Sequence, residues 1–324
     1  MTLSVTTAVE RWPIAGAFVI SRGARTEATV VVAEVSDGAC RGRGECVPYA
    51  RYGETVESVV EAIEAARLET ADRDALPRLL PAGAARNALD CALWDLEAKR
   101  RKIPVWQLAG LPPPKHLVTA YTISLGAPAA MAEAARAARG CPILKLKLGG
   151  DGDGDRVRAV REAVPGARLI ADANEAWSER NFEESMRACA DAGVMLVEQP
   201  LPAGADAMLG ETTRPVPVCA DESVHTADDL DALYGRYDAV NVKLDKAGGF
   251  SEALRLVRQA RQQGFMVMVG CMVGTSLAMA PGVLLAQGAD FVDLDGPLLL
   301  ARDRSPGLVY SGGAVAPPTT ALWG

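Results

Sequence analysis

Short apolar runs that end in polar residues recur along the last two thirds of the chain, each followed by a stretch with helical spacing of its apolar positions. In order they are TAYTISL, ILKLKL, RLIADAN, VMLVEQP, VPVCADE, DAVNVKLD, FMVMVGCM and DFVDLD. Strands alternating with helices build βαβ units on a parallel sheet, and eight such runs in one stretch fit a closed barrel better than an open sheet. The first third is patterned differently. ATVVVAEV (28–35) is β-branched and apolar and leads into the turn-rich SDGACRGRGE, which predicts a hairpin. Residues 56–68 and 82–100 are expected to be helical. In the second of these, Ala85, Ala88, Leu89, Ala92, Leu93 and Leu96 recur at helical spacing after a Pro-Ala-Gly start. LPPPK (111–115) reads as a joint, and from about residue 302 the tail leaves the cycle. The expected class is α/β. An α+β capping domain spans 1–115, a (β/α) barrel of the modified TIM type spans 116–301, and a C-terminal segment, 302–324, packs back on the capping domain.

Side chains alternate across a strand, so residues two apart share a face. Lys145 and Lys147 therefore share a face, as do Asp172 and Asn174, Asn241 and Lys243, and Asp293 and Asp295, while Glu198 and Asp221 each close an apolar run. Lys147, Asp172, Glu198, Asp221 and Lys243 follow one another at intervals of 25, 26, 23 and 22 residues. Each interval is about one strand–helix unit, so consecutive strands deliver one polar group each to the same barrel mouth, where barrel active sites lie. Charges directed into a barrel are costly unless paired or ligated. Three carboxylates on neighbouring strands, Asp172, Glu198 and Asp221, suit a hard cation with open positions, hence Mg²⁺ with Mn²⁺ as a substitute. Zinc is disfavoured because the only histidines, His116 and His225, join no Cys/His cluster. A cation there can take the oxygens of a substrate carboxylate and stabilise the enediolate left when the α-proton departs. The proton acceptor must be neutral, and crowding beside Lys145 and a cation is expected to lower a lysine's pKa. The second and sixth strands stand across a barrel, which puts Lys147 and Lys243 on opposite faces of a substrate carbon. One base on each face is what racemisation or epimerisation requires.

Nearby residues qualify this picture. Lys246 competes with Lys243, but alternation along NVKLD turns Asn241, Lys243 and Asp245 inward. Cys219 reads as core filling and Cys271 as pocket lining, with no adjacent histidine for nucleophilic use. His225 reads as a hydrogen-bonding residue, Arg51 as structural, and Gly248–Gly249 as a tight strand-to-helix turn. The net charge of −7 over 324 residues offers no basic stripe for a phosphate backbone, which argues against nucleic acid. No apolar run approaches the length of a membrane span, and MTLSVTTAVERWPIAGAF lacks a basic segment followed by an unbroken apolar stretch, so neither membrane nor leader is expected. The seven scattered cysteines include no C-x-x-C, which fits a reducing compartment. A cytoplasmic location is the expectation, and a homo-oligomer is left open.

K-x-K (145–147), DAN (172–174), EQP (198–200), ADES (220–223) and NVKLDKAGG (241–249), with GRGECVPYARYGE and AARNALDCALWDL in the first domain, resemble the enolase superfamily in its muconate-lactonising subgroup. GCMVGTS and DLDGP resemble the dipeptide epimerases, those acting on L-Ala-D/L-Glu in particular, whose family role is recycling of murein peptides. The resemblance implies an isomerase that epimerises the α-carbon of the C-terminal residue of a small dipeptide by Mg²⁺-dependent, two-lysine 1,1-proton transfer. It implies that Asp293 and Asp295 hold the dipeptide ammonium group. It also implies an arginine in the first capping-domain loop that pairs with the glutamate side chain; Arg22 is the first choice and Arg25 the alternative. Thr122 and Lys145 are further expected substrate contacts, with Tyr52, Asn174 and Cys271 as additional candidates. β-Elimination or cycloisomerisation, as in o-succinylbenzoate synthase or muconate-lactonising enzyme, is the alternative on the same acids and lysines. A Schiff-base lysine aldolase would leave the three acids unexplained.

Overall fold

The computed structural model describes residues 3–68, 70 and 72–324. Strands β1 (Ser4–Ile20), β2 (Gly23–Ser36) and β3 (Arg41–Cys46) form an antiparallel sheet in that order. β2 and β3 are the expected hairpin. β1 was not legible, because Pro13 and Gly16 interrupt its alternation; the ladder to β2 shifts register between Pro13 and Phe18, and long-range pairing supplies what local pattern lacks. The helix Ala84–Arg101 lies across this sheet. It approaches closely because β3 carries glycines there: a Cβ at Gly42 would stand 2.0 Å from Ala92 O, and one at Gly44 2.1 Å from Ala88 O. Val31, Val35 and Cys46 pack with Ile63, Leu89, Leu93 and Leu96 into the core of this domain.

After the two-residue β4 (Leu117–Val118), eight parallel strands follow in sequence order. They are β5 (Tyr121–Ile123), β6 (Ile143–Lys147), β7 (Arg168–Asp172), β8 (Val194–Glu198), β9 (Val218–Ala220), β10 (Ala239–Val242), β11 (Met266–Val269) and β12 (Phe291–Val292). The edges of this sheet meet where Ala120 N–H donates to Val292 O at 2.8 Å. The result is the expected (β/α) barrel. Alternation sorts each strand: Leu144, Leu146, Leu169, Ala171 and Val197 face the helices, while Ala120, Ile143, Ile170, Leu196, Cys219, Ala239 and Met268 plug the interior. The next inward position is polar on every strand but β11, where Gly270 stands, and there the apolar plug ends. No helix among the described residues is long and apolar enough to cross a membrane.

The tail divides between two places. β13 (Tyr310–Ser311) and β14 (Ala314–Val315) form a hairpin on β4. The last residues dock on the capping helix, where Trp323 Nε1 donates to Cys91 O at 3.0 Å and Gly324 N to Asp95 Oδ1 at 2.9 Å.

The same capping helix grips the turn that follows β10. Arg86 donates to Ala247 O and Gly248 O, and Asp90 accepts from Ser251. A Cβ at Gly248 or Gly249, both left-handed, would collide with Arg86 or Asp90, so the glycine pair serves close docking as well as the turn. At the centre, Asp245 Oδ1 accepts from Val47 N at 3.0 Å and Asn87 Nδ2 at 2.9 Å. Burial pushes this carboxyl up to about 7 against those two hydrogen bonds. Because the folded state holds the proton more tightly than the unfolded chain, stability contributed here is present in acid and lost as pH rises from the usual carboxylate range through 7. Both donors converge on one oxygen, which an amide can supply. Asp245→Asn should therefore raise stability at pH 8 by on the order of 2 kcal/mol and leave it unchanged near pH 4. Thermal unfolding at the two pH values measures this; equal shifts at both would refute it.

Candidate active site

The polar ends of the barrel strands converge as period-two alternation requires. Asp172 and Glu198 are register partners on β7 and β8, and Glu198 pairs with Cys219, two residues before Asp221. Lysines interleave these buried acids. Lys147 Nζ lies 2.5 Å from Asp172 Oδ2, and Lys145 Nζ lies 3.2 Å from the same atom, 2.6 Å from Glu198 Oε2 and 2.7 Å from Asp293 Oδ2. Lys243 and Lys246 each stand 2.6 Å from an Asp221 oxygen. Lys246, which alternation does not turn inward, is nevertheless buried against Asp221. β6 and β10 are four strands apart in the ring of eight, so Lys147 and Lys243 enter from opposite walls.

Electrostatics follow from this packing. Against the upward push of burial, Lys147 and Lys145 hold Asp172 at about 2. Burial, then Asp172 and Asp221, push Glu198 up to about 7 despite Lys145. Burial alone would depress Lys243, but Asp221 and Glu198 more than offset it and hold the ammonium well above the usual lysine range; Lys145 is raised likewise by Asp293, Glu198 and Asp172. Crowding by itself therefore does not lower Lys145 or Lys243. The neighbouring acids outweigh the like-charge pressure between lysines.

The donor set fits a hard divalent cation: three buried carboxylates on adjacent strands, with Glu198 Oε2 in charge contact with Lys145 yet without a hydrogen bond. Among the described residues, however, no three His, Cys, Asp or Glu side chains already stand in metal-holding arrangement. Buried carboxylates need counter-charges, and the lysines stand among them.

A cavity of about 410 Å³ opens above this cluster between barrel and capping domain. Arg22, Arg25, Tyr52, Thr122, Lys147, Asn174, Asp221, Lys243, Cys271, Asp293 and Asp295 all line it. Lys145, Asp172 and Glu198 do not; they lie beneath it. Lys145, expected to touch substrate, is a buried counter-ion instead. Asp295 Oδ2 accepts from Thr122 N at 2.6 Å, and burial with Asp293 beside it pushes its carboxyl up to about 7. Asp293 keeps one buried oxygen, Oδ1, without a partner among the described residues. The two arginines differ in a way the sequence did not reveal. Arg22 is engaged by Glu222 at 2.8 Å, Glu175 at 3.2 Å and Tyr49 Oη at 3.1 Å. Arg25 has no carboxylate partner among the described residues, its guanidinium carbon standing 5.2 Å from the Tyr49 ring centre. Sequence reasoning also missed Glu222, Tyr49 and Phe18. Phe18 lies under the Lys147 ammonium, 5.7 Å from ring centre to Nζ, and Glu222 directly follows Asp221. The one available signal for Glu222 was its place inside ADES. His225 packs edge-on to Tyr52, ring centres 4.6 Å apart, and Cys219 fills the barrel plug.

A (β/α) barrel with an antiparallel cap, and with acids and lysines gathered at its C-terminal strand ends, defines a class that sequence comparison identifies directly. Residues 128–321 match the enolase C-terminal domain-like family, and residues 2–110 match the mandelate racemase/muconate lactonizing enzyme N-terminal domain. The chain belongs to the enolase superfamily, and it is an isomerase of the epimerase type. It is 47% identical over 309 residues to an L-Ala-D/L-Glu epimerase of Escherichia coli K12, covering 94% of this chain and 96% of that one. It is 45% identical over 303 residues to an N-acetyl-D-glutamate racemase of a Pseudoalteromonas species, covering 91% and 95%. A crystal structure of an enolase family member from Agrobacterium tumefaciens, described as homologous to dipeptide epimerases and holding sodium and L-Ala-L-Glu with an ordered loop, superposes with a TM-score of 0.98 at 52% identity, covering 99% of this chain and 100% of that one.

Proposed function

We propose that this enzyme epimerises the α-carbon of the glutamate in an alanyl-glutamate dipeptide, L-Ala-D/L-Glu, by proton transfer between Lys147 and Lys243. The observation that carries the reading is the placement of two lysines on opposite walls of one cavity whose far side carries Asp293 and Asp295. A substrate carbon between the lysines meets a base on each face, and the aspartate pair supplies the counter-charge for an ammonium group, which the substrates of β-elimination or cycloisomerisation lack. Asp172, Glu198 and Asp221 would hold Mg²⁺, with Mn²⁺ as a substitute. Bound there, the cation would supply Lewis-acid stabilisation of the negative charge that proton loss places on the substrate carboxylate.

The chain's own groups do the rest. Lys147 or Lys243 in its neutral form takes the α-proton, and the opposite lysine, as ammonium, returns a proton to the other face. Lys243, held as ammonium by Asp221 and Glu198, needs relief from those acids before it can accept a proton. Asp293 and Asp295 orient the substrate N-terminus, and capping-domain side chains exclude water. Arg25, with no carboxylate to satisfy it, is better placed than Arg22 to read the glutamate side chain.

Incubation with L-Ala-L-Glu and Mg²⁺ in D₂O should exchange the α-proton of glutamate and yield the D-epimer, read by NMR. Arg25→Met should lower kcat/KM by roughly 10- to 100-fold, the value of one charged hydrogen bond, and Arg22→Met by less. Exchange of N-acetylglutamate in preference to the dipeptide would reverse the assignment.

A further inference from the structure

We infer that Glu175 is a positioning residue, a latch that closes two capping-domain segments over the cavity by holding Arg22 and Arg51 together. Arg51, in the segment after β3, grips it with two bonds, Nε to Oε2 at 2.9 Å and Nη2 to Oε1 at 2.8 Å. Arg22, in the turn between β1 and β2, reaches Oε2 with Nη1 at 3.2 Å, and the same nitrogen donates to Asn174 O at 3.0 Å. Ser21 Oγ donates to that carbonyl as well, at 3.0 Å. Two segments far apart in the chain thus meet the barrel at one carboxylate.

Glu175 is built to present that carboxylate. It lies three residues past Asp172, and both Asn174 and Glu175 adopt left-handed backbone, with φ of 46° and 67°, a conformation unfavourable for side chains with a Cβ. Two contacts from the next barrel loop hold it there: Glu175 N donates to Gln199 O at 2.9 Å, and Ala203 N donates to Glu175 Oε1 at 2.8 Å. The Glu175 side chain is 9% exposed, whereas those of Arg22 and Arg51 are 28% and 39% exposed. A fixed half belongs to the barrel and a solvated half to the cap. Partly exposed ion pairs add little to stability, but they break and reform readily, which suits a closure that must open on each turnover. The permanent joint between the domains lies elsewhere, in the buried contacts of Arg86, Asn87 and Asp90 with residues 245–251. The latch also explains the division of labour between the arginines: Arg22 closes the loop, leaving Arg25 free to face substrate, a point that rests on the proposed function.

Glu175→Gln keeps the Ala203 contact and removes the charge; Arg51→Met removes one grip. Limited trypsin digestion without substrate should cut after Arg22 and Arg25 roughly five- to tenfold faster in Glu175→Gln than in the wild type, the value of a small charge network. KM for L-Ala-L-Glu should rise by a similar factor while kcat holds or increases, because opening is eased. The double variant should match Glu175→Gln alone, since that carboxylate is the shared partner. The proteolysis arm reads the latch whatever the substrate is. Unchanged cutting in Glu175→Gln would overturn the proposal. So would a fall in kcat at constant KM, which would make Glu175 a strut for Asp172, or additive effects in the double variant.

Discussion

Lys147→Ala and Lys243→Ala should each abolish net epimerisation while sparing α-proton exchange from one stereoisomer, a different one in each variant. The two lysines approach from opposite strands of the ring, so in the proposed reaction each would face one side of the α-carbon. Losing one leaves the other able to remove and return a proton on its own face only. Positioned acid–base groups contribute roughly 10²- to 10⁴-fold, and the loss of turnover should fall in that range. Neither substitution should unfold the barrel. Asp172 retains Lys145 at 3.2 Å when Lys147 is removed, and Asp221 retains Lys246 at 2.6 Å when Lys243 is removed. No buried carboxylate is left without a counter-charge, the condition that makes such truncations severely destabilising. Separate incubations of L-Ala-L-Glu and L-Ala-D-Glu in D₂O with each variant measure the outcome. Equal loss of exchange from both isomers in both variants, with metal still bound, would sink the one-base-per-face scheme.

The second large effect concerns Glu198, the middle acid. In wild-type protein, EDTA should remove activity and Mg²⁺ should restore it, with Mn²⁺ as a working substitute. Excess Mg²⁺ should also raise thermal stability, by about 2.7 kcal/mol when its concentration is 100 times the dissociation constant. Glu198→Gln should lose both the activity and the Mg²⁺-dependent stabilisation. The metal-free variant should nevertheless be at least as stable as metal-free wild type, because burial and the neighbouring Asp172 and Asp221 already hold Glu198 up to about 7, and a neutral amide relieves that repulsion. The pH dependence has a definite sign. The proton on Glu198 competes with the cation, so Mg²⁺ binding should weaken as pH falls below about 7 and strengthen above it. Calorimetric titration at pH 6 and pH 8 distinguishes this from a site insensitive to Glu198. Equal affinities, or a variant that still gains stability from Mg²⁺, would remove Glu198 from the metal site.

The polar cluster at the barrel mouth was legible because its positions obey local rules. A strand's period of two decides which residues face inward, and one strand–helix unit per twenty-odd residues decides which strand follows which. Lys147, Asp172, Glu198, Asp221, Lys243 and Asp293 are therefore delivered to one mouth by pattern alone, and the apolar plug of Ile143, Ile170, Leu196 and Cys219 beneath them follows from the same alternation. Resemblance then narrowed the chemistry through the strand-end aspartates. β1 escaped notice because Pro13 and Gly16 erase its pattern, and its pairing is with a partner strand rather than with its own sequence.

Tertiary structure alone decided the rest. Lys145 and Lys147 share a face, yet one is a buried counter-ion beneath the cavity and the other lines it, because depth along the barrel axis separates two residues that alternation treats alike. Arg22 and Arg25 sit three apart, one in the turn after β1 and the other at the start of β2, and only the positions of Glu222, Glu175 and Tyr49 tell them apart. Arg51 meets Glu175 across 124 residues of chain, a contact with no local period to announce it. Periodicity reports which way a side chain points from its own element; which partner waits there depends on how separate elements are packed together.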